Sequence, residues 1–474
     1  MALLLLALQI VDNGLAVEEP GPICDDAAFQ RRAWLDIAGT VPPVDRARAP
    51  GDREKLVDEL LAGDRYSRRW AHVWMKTLTG RRGVPDEDHD GRRLLQYLQR
   101  ALAQNLPYDR MVRDMVTGSG LGDENGEVNF LLRYRADPVD VTGAVGRTLL
   151  GIRLQCAQCH DHPFAEWKQD QFWGMAAFFS KTRRFYTESG DEYLPGVIDV
   201  SRDRGMFMPG LDEREMPERA KVPPVYLSGD RPADGKWREQ FADLLIDPTK
   251  SPTFAMNAVN RVWAEFFGRG LLEPLDGFTL RGAEVPPLLK HLADEFVANQ
   301  YDLRRLIRTI ALSKAYQREA RAGADSYAYM PVRPLDEDQI FDAIVDATGF
   351  TDEPYDAEDL SPEEIEEEES YRDQQPREFF GEHDMSKSRA LALLNHWAVH
   401  EAVETGSRTC VGVNGRATGP AHVEWLYLAT LSRKPTKEET DEMTELIDAT
   451  RAKRSRLADL LWALLNSAEF TTNH

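Results

Sequence analysis

The stretch LQCAQCHDHPF, residues 154 to 164, holds two of the four cysteines and two of the ten histidines of this chain. Cys156, Cys159 and His160 spell C-x-x-C-H. In that order two thiols can form thioether bonds to the vinyl groups of a haem while the adjacent imidazole reaches the iron. The same residues support two other readings. Thiolates with imidazole suit zinc, so Cys156, Cys159 and either His160 or His162 could take that ion, with a fourth ligand such as His72 or His89. No second C-x-x-C occurs to supply the missing half of a structural zinc site. In an oxidising compartment the two cysteines could instead close a small disulfide, with His162 before Pro163 capping a helix. If haem is bound, a sixth ligand has to be found. Met175 is the nearest methionine downstream, and Met206, Met208 and Met216 follow, but none lies in a recognisable distal motif. A five-coordinate iron would keep an open position and favour sensing or peroxide chemistry over electron carriage.

The elements that must hold this motif are helices. Val141, Val145, Leu149, Ile152 and Cys156 recur at intervals of three and four, which predicts an amphipathic helix ending in the motif and stopped by Pro163. A second helix is expected from Glu166, with Phe172, Trp173, Ala176, Ala177 and Phe179 as an aromatic wall that suits either a flat cofactor or a core. Leu56, Leu60, Leu61, Trp70, Trp74, Leu94, Leu98 and Leu102 mark further buried helical faces. Asn105-Leu-Pro-Tyr-Asp109 interrupts them, with Asp109 placed to cap a helix carrying Met111, Val112, Met115 and Val116. A similar phrase, Asn299-Gln-Tyr-Asp302, introduces Leu303, Leu306, Ile307 and Ile310. From 185 to 236, glycines and prolines break the pattern into runs such as VIDV and VYL that read as short strands or extended connections. Helices resume at Trp237 and continue to Ser467.

The expected fold is therefore mainly α, with two helical domains joined by an extended, loop-rich segment with a few short β-strands. Residues 1–21 form an N-terminal helix or the remnant of an export signal. The first domain spans 22–184, the connector 185–236, and the second helical domain 237–474 with an acidic insertion at 351–370.

Composition narrows the function. The chain has 474 residues, 42% of them hydrophobic and 29% charged, as in ordinary globular proteins. Its 58 basic and 80 acidic side chains give a formal charge of -22, which argues against nucleic acid and anionic membrane surfaces as partners. MALLLLALQIV is like a signal-peptide core but lacks a basic n-region, so an amphipathic helix over 3–15 is the other reading. No longer apolar stretch predicts insertion into a membrane. Cys24 and Cys410 stand alone and read as buried thiols or a long-range disulfide. The acidic run lacks the D-x-D-x-D-G order of a calcium loop and reads as a solvated insertion. Asp276, Arg281, Asp294 and Glu295 could be imagined as acid-base pairs for a glycan, but caps and surface ion pairs are the simpler reading. Arg261 and Arg269 read as packing against Trp263, Phe266 and Phe267.

An ordered series of longer motifs carries a resemblance. It runs through DDAAFQRRAWLDIAGTVPP (25–43), RWAHVW (69–74) and GIRLQCAQCHDHPFAEWKQDQFWGMAAFF (151–179). It continues with NRVWAEFFGRGLLEPLDGFTLRG (260–282), ALALLNH (390–396) and LADLLWALLNSAEF (457–470). Together they resemble the planctomycete cytochrome-c-like domain, a domain of unknown function, followed by the planctomycete-specific C-terminal domain. The resemblance implies export to the periplasm or beyond the cell. It also implies a haem c on Cys156 and Cys159 with His160 as the proximal ligand. Electron transfer with a redox partner protein, or redox support of extracellular polymer breakdown, is the expected work. The alternative is a non-catalytic binding or scaffold protein stapled by zinc or a disulfide at Cys156, Cys159 and His162.

Overall fold

The computed structural model describes residues 11–12, 14–15, 19–80, 91–189, 192–201, 206, 222–233, 235–280, 282–324, 326–350, 393, 396–414, 419–448 and 453–474. The leucine run at 1–10, the acidic segment 351–370, His89, Met208, Met216 and Arg281 lie outside these residues. The fold is mainly α, as the periodicity predicts, and it divides into two compact units. Unit 1 comprises 1–15 and 66–310, and unit 2 comprises 16–65 and 311–474. These units cut across the segmentation expected from sequence, because residues 16–65 fold with the C-terminal part of the chain.

In chain order, unit 2 contributes α1 (Asp26–Ala33) and α2 (Arg53–Ala62). Unit 1 follows with α3 (Asp64–Thr79, from Tyr66 onward), α4 (Gly91–Ala103), α5 (Tyr108–Thr117), α6 (Pro138–Ala144) and α7 (Gln169–Ala177). It ends with α8 (Trp237–Ile246), α9 (Pro252–Phe267), α10 (Pro287–Ala298) and α11 (Leu303–Ala311). Unit 2 then closes with α12 (Glu337–Thr348), α13 (Trp397–Asn414), α14 (Gly419–Leu431), α15 (Lys437–Asp448) and α16 (Lys453–Leu465).

The core of unit 1 is aromatic, because the buried faces of α3 and α9 carry rings and α5 adds Tyr108. Trp70 stacks on Phe266 at 5.8 Å, Trp74 packs on Tyr108 at 4.8 Å, and Tyr108 stacks on Phe254 at 5.3 Å between ring centroids. Each such pair adds about 0.5–1.5 kcal/mol beyond the area it buries. The two related phrases meet here, since the Tyr108 amide donates to the Tyr301 carbonyl at 3.1 Å. They do not cap alike. Asp302 accepts from the Arg305 amide at 3.0 Å, whereas Pro107 is the N-cap of α5 and Asp109 sits inside its first turn. Proline already fixes the entry angle there, so the expected aspartate cap is not used.

The connector opens with an antiparallel hairpin, β2 (Thr182–Ser189) and β3 (Glu192–Asp199), and β3 also pairs with the short β1 (Gly120–Leu121). Asp199 accepts both 2.9 Å bonds from the buried Arg238 guanidinium and so ties this sheet to α8. VIDV falls in β3, but VYL lies in a loop whose Tyr226 hydroxyl shares a 2.6 Å bond with Ser251.

Unit 2 is built around an apolar cluster including Leu35, Ile340, Ile344, Val399, Leu426, Leu461 and Phe470. Local signals set its helix ends. Asp25 and Asp52 cap α1 and α2, and Asp336 with Gln339 forms a capping box on α12, which ends at Gly349 with φ 70°. Charged groups then lock α1 to sequence-distant chain. The fully buried Arg31 donates to the carbonyls of Thr430 (2.9 Å) and Phe470 (3.0 Å). The Asp36 carboxylate, 2% exposed, accepts from Arg333, Asn473 and the Tyr316 hydroxyl, all within 2.8–2.9 Å.

Candidate functional site

The motif stands in a loop of unit 1, not at the end of a helix. α6 starts under an Asp137 cap that accepts from the amides of Val139 (2.9 Å) and Asp140 (3.1 Å), and it runs into a wide turn over Val145–Leu149. Gly151 then takes φ 66°, which breaks the helix, and Ile152 forms an isolated bridge with Gly277. The periodicity that led from Val141 to Cys156 is real only as far as Leu149. Ile152 is buried through its bridge, and Cys156 is exposed.

The chain restarts in a single tight turn over Leu154–Ala157, whose Leu154 and Ala157 are buried and anchor it. Cys156 and Cys159 are exposed and free, and His160 is exposed. α7 begins at Gln169 rather than Glu166, because its start is organised by the motif itself. Asp161 accepts from the Gln169 amide at 3.0 Å with one carboxylate oxygen and from the Lys168 ammonium at 2.9 Å with the other. Those two bonds, Lys168 first, hold the Asp161 carboxyl below the usual carboxylate range. α7 in turn donates back. The Trp173 indole reaches the Gln158 carbonyl at 3.0 Å, and the Gln169 amide reaches those of Gln158 (3.2 Å) and Cys159 (3.1 Å).

The two histidines differ in environment. His160 Nδ1 lies 2.7 Å from the Asp161 carbonyl, so the imidazole must donate there, and Nε2 becomes its lone-pair nitrogen. A hydrogen bond from one ring nitrogen to a carbonyl fixes the orientation of an imidazole and leaves the other nitrogen to accept. His162 is 5% exposed, and its Nδ1 accepts from the Phe164 amide at 3.0 Å, so it caps no helix carbonyl through that atom. Its own amide donates to the Trp167 carbonyl at 2.9 Å.

A second segment frames the loop. Phe278 donates its amide to the Gly151 carbonyl at 3.2 Å, and Leu280 bridges Ala165. Arg153 and Asp276 are ion-paired at 2.8 Å, and the Trp167 indole donates to the Thr279 hydroxyl at 2.8 Å. Asp276, one of the residues imaginable as a glycan acid-base group, is thus engaged by Arg153, while Asp294 is exposed on α10 and Glu295 accepts a 2.7 Å bond from Asn299 through its carbonyl. Arg261 donates to Asn257 Oδ1 (3.1 Å) and the Arg147 carbonyl (2.8 Å), and burial lowers its pKa.

Cys156, Cys159 and His160 are each exposed, and their chemistry is compatible with thioether attachment and iron ligation. Among the described residues no group of three His, Cys, Asp or Glu side chains is placed to hold a metal ion, and His72 on α3 joins no such group. Met175 is fully buried in α7. Phe172, Trp173, Ala176, Ala177 and Phe179 are likewise buried, so the aromatic wall is core. Sequence reasoning missed Asp161 and the segment 276–280. The glycine in Asp276-Gly277-Phe278 was the available signal, a position that requires close backbone approach.

No described helix is long and apolar enough to cross a membrane. Neither a curated protein nor a solved structure matches the chain. Residues 9–184 match the family model PSCyt2, protein of unknown function (DUF1549), and residues 237–387 match PSD1, protein of unknown function (DUF1553). The two matches stand in N-to-C order, the arrangement that the sequence motifs resemble.

Proposed function

We propose that this chain is exported to the periplasm or beyond and carries one haem c, held by Cys156 and Cys159 and ligated by His160. In this reading it serves electron transfer, or redox chemistry that supports breakdown of an extracellular polymer. The observation that carries the proposal is the pairing of two exposed, free thiols with an exposed imidazole whose Nδ1 is committed to the Asp161 carbonyl at 2.7 Å. Each thiol would add its S–H across one vinyl double bond, which needs no external oxidant. His160 would present Nε2, and Asp161, pinned by Lys168 and the Gln169 amide, would keep that imidazole oriented. The bound haem would supply one-electron chemistry.

The test is expression of the chain with an added export signal in a host that attaches c-type haem. Intact mass and the reduced absorption spectrum are compared for wild type, the Cys156→Ala, Cys159→Ala double variant, and His160→Ala. Wild type is expected to gain the mass of one haem and a sharp reduced band. The double variant should lose both, and His160→Ala should shift or broaden the band. A folded wild type of apo mass with no band would remove the haem reading. Metal analysis of that protein would then decide between a zinc staple and a plain structural loop.

A further inference from the structure

We infer that residues 276–280 are a positioning strap for the C-x-x-C-H loop, with Asp276 and Thr279 as its positioning residues. The middle of the loop is held by α7 through Trp173 and Gln169, and its two ends are held from elsewhere. Its one regular turn spans Leu154–Ala157, and Cys156, Cys159 and His160 are all exposed. Both ends of the loop are fastened to the same short stretch. At the entering end, Phe278 N bonds the Gly151 carbonyl, Gly277 bridges Ile152, and Asp276 pairs with Arg153 through bonds of 2.9 and 2.8 Å. At the leaving end, Leu280 bridges Ala165, and Thr279 accepts from the Trp167 indole at 2.8 Å.

The approach is tight. A Cβ added at Gly151 would lie 2.7 Å from Phe278 Cδ2 and 2.8 Å from Asn257 Oδ1. One at Gly277 would lie 2.8 Å from the Pro274 carbonyl oxygen. Pinning both ends of a loop to one short segment lowers the entropy that must be lost when two sulfurs and an imidazole engage one ligand together. The strap belongs to the segment that matches the second family model, and the motif belongs to the segment that matches the first. The frame of the motif is therefore shared between the two family segments, and the first segment alone lacks half of it. The strap as a loop restraint stands on these contacts, and its consequence for the haem rests on the proposed function.

The experiment uses the full-length chain with Thr279→Val, which keeps the side-chain shape and removes the hydrogen-bond acceptor, Thr279→Ser, which restores it, and Asp276→Asn. Amide hydrogen exchange of haem-free protein is read over 151–167, with α5 and α9 as internal references. Thr279→Val is expected to raise exchange over 151–167 about five- to tenfold and Asp276→Asn about two- to threefold, with the references unchanged and Thr279→Ser near wild type. In the haem-attaching host, Thr279→Val should lower the haem-carrying fraction several-fold and alter the reduced band, again with rescue by Thr279→Ser. Wild-type exchange over 151–167 in both Thr279→Val and Asp276→Asn would overturn the strap. If Thr279→Val loses protection throughout unit 1, Asp276→Asn decides by the same criterion. If wild type takes no haem, the proposed function fails, and the exchange comparison still decides whether the strap exists.

Discussion

The four cysteines divide by environment into two pairs. Cys156 and Cys159 are exposed, while Cys24 and Cys410 are buried in unit 2, and burial pushes the Cys24 thiol above its ordinary pKa. Only the thiolate attacks an alkylating reagent, so burial and a raised pKa act in the same direction. In haem-free, reduced protein two thiols should react rapidly with a disulfide reagent and two only after denaturant is added, as read by titration and peptide mapping. Rapid reaction of all four in the native state would contradict the burial. The chemical identity of the site was legible at this scale, because C-x-x-C-H is local. Asp161 was not, because its work is done on Lys168 and Gln169 and through a carbonyl that any residue type possesses.

Among the elements, helical faces were readable from apolar spacing, and helix ends were readable where a cap is local. Asp336 with Gln339 shows this, and Asp302 does too. The end of α6 was misread because Ile152 and Cys156 continue a helical spacing past a residue with φ 66°, a conformation glycine adopts without cost and apolar periodicity cannot register. Gly151→Ala tests that explanation. Its Cβ would meet Phe278 and Asn257 in a left-handed backbone, and a loss of about 1–3 kcal/mol is expected by chemical denaturation. Wild-type stability would mean that the strap yields at no cost. The start of α7 was misplaced for a related reason, since its first amide is satisfied by a side chain from the preceding loop rather than by an adjacent cap.

At the scale of the molecule, the chain is interleaved. Residues 16–65 are far in sequence from 311–474 yet share one compact unit with them. The buried polar contacts of Arg31 and Asp36 account for part of this specificity, because each leaves an unsatisfied charge if its distant partners are absent. Asp36→Ala is therefore expected to destabilise unit 2 by about 3–5 kcal/mol, the scale for breaking a buried ion pair while stranding its partner. The check is denaturant unfolding followed by the emission of Trp425 or Trp462, after the other tryptophans are replaced by phenylalanine. A loss under about 1 kcal/mol would mean that Arg333 and Asn473 find water or other partners.

The sequence by itself determined the helical class, most helix positions and the residue types available at Cys156, Cys159 and His160. Those properties follow from composition and from spacing over a few residues. Only the tertiary structure decided that the motif lies in a loop, that Asp276 and Thr279 fasten it, and that the N-terminal helix α1 belongs with the C-terminal end of the chain. The reason is physical. A helix announces its buried face through a period set by its own backbone, whereas a bridge or an ion pair between distant residues depends on which surfaces meet after the helices have packed.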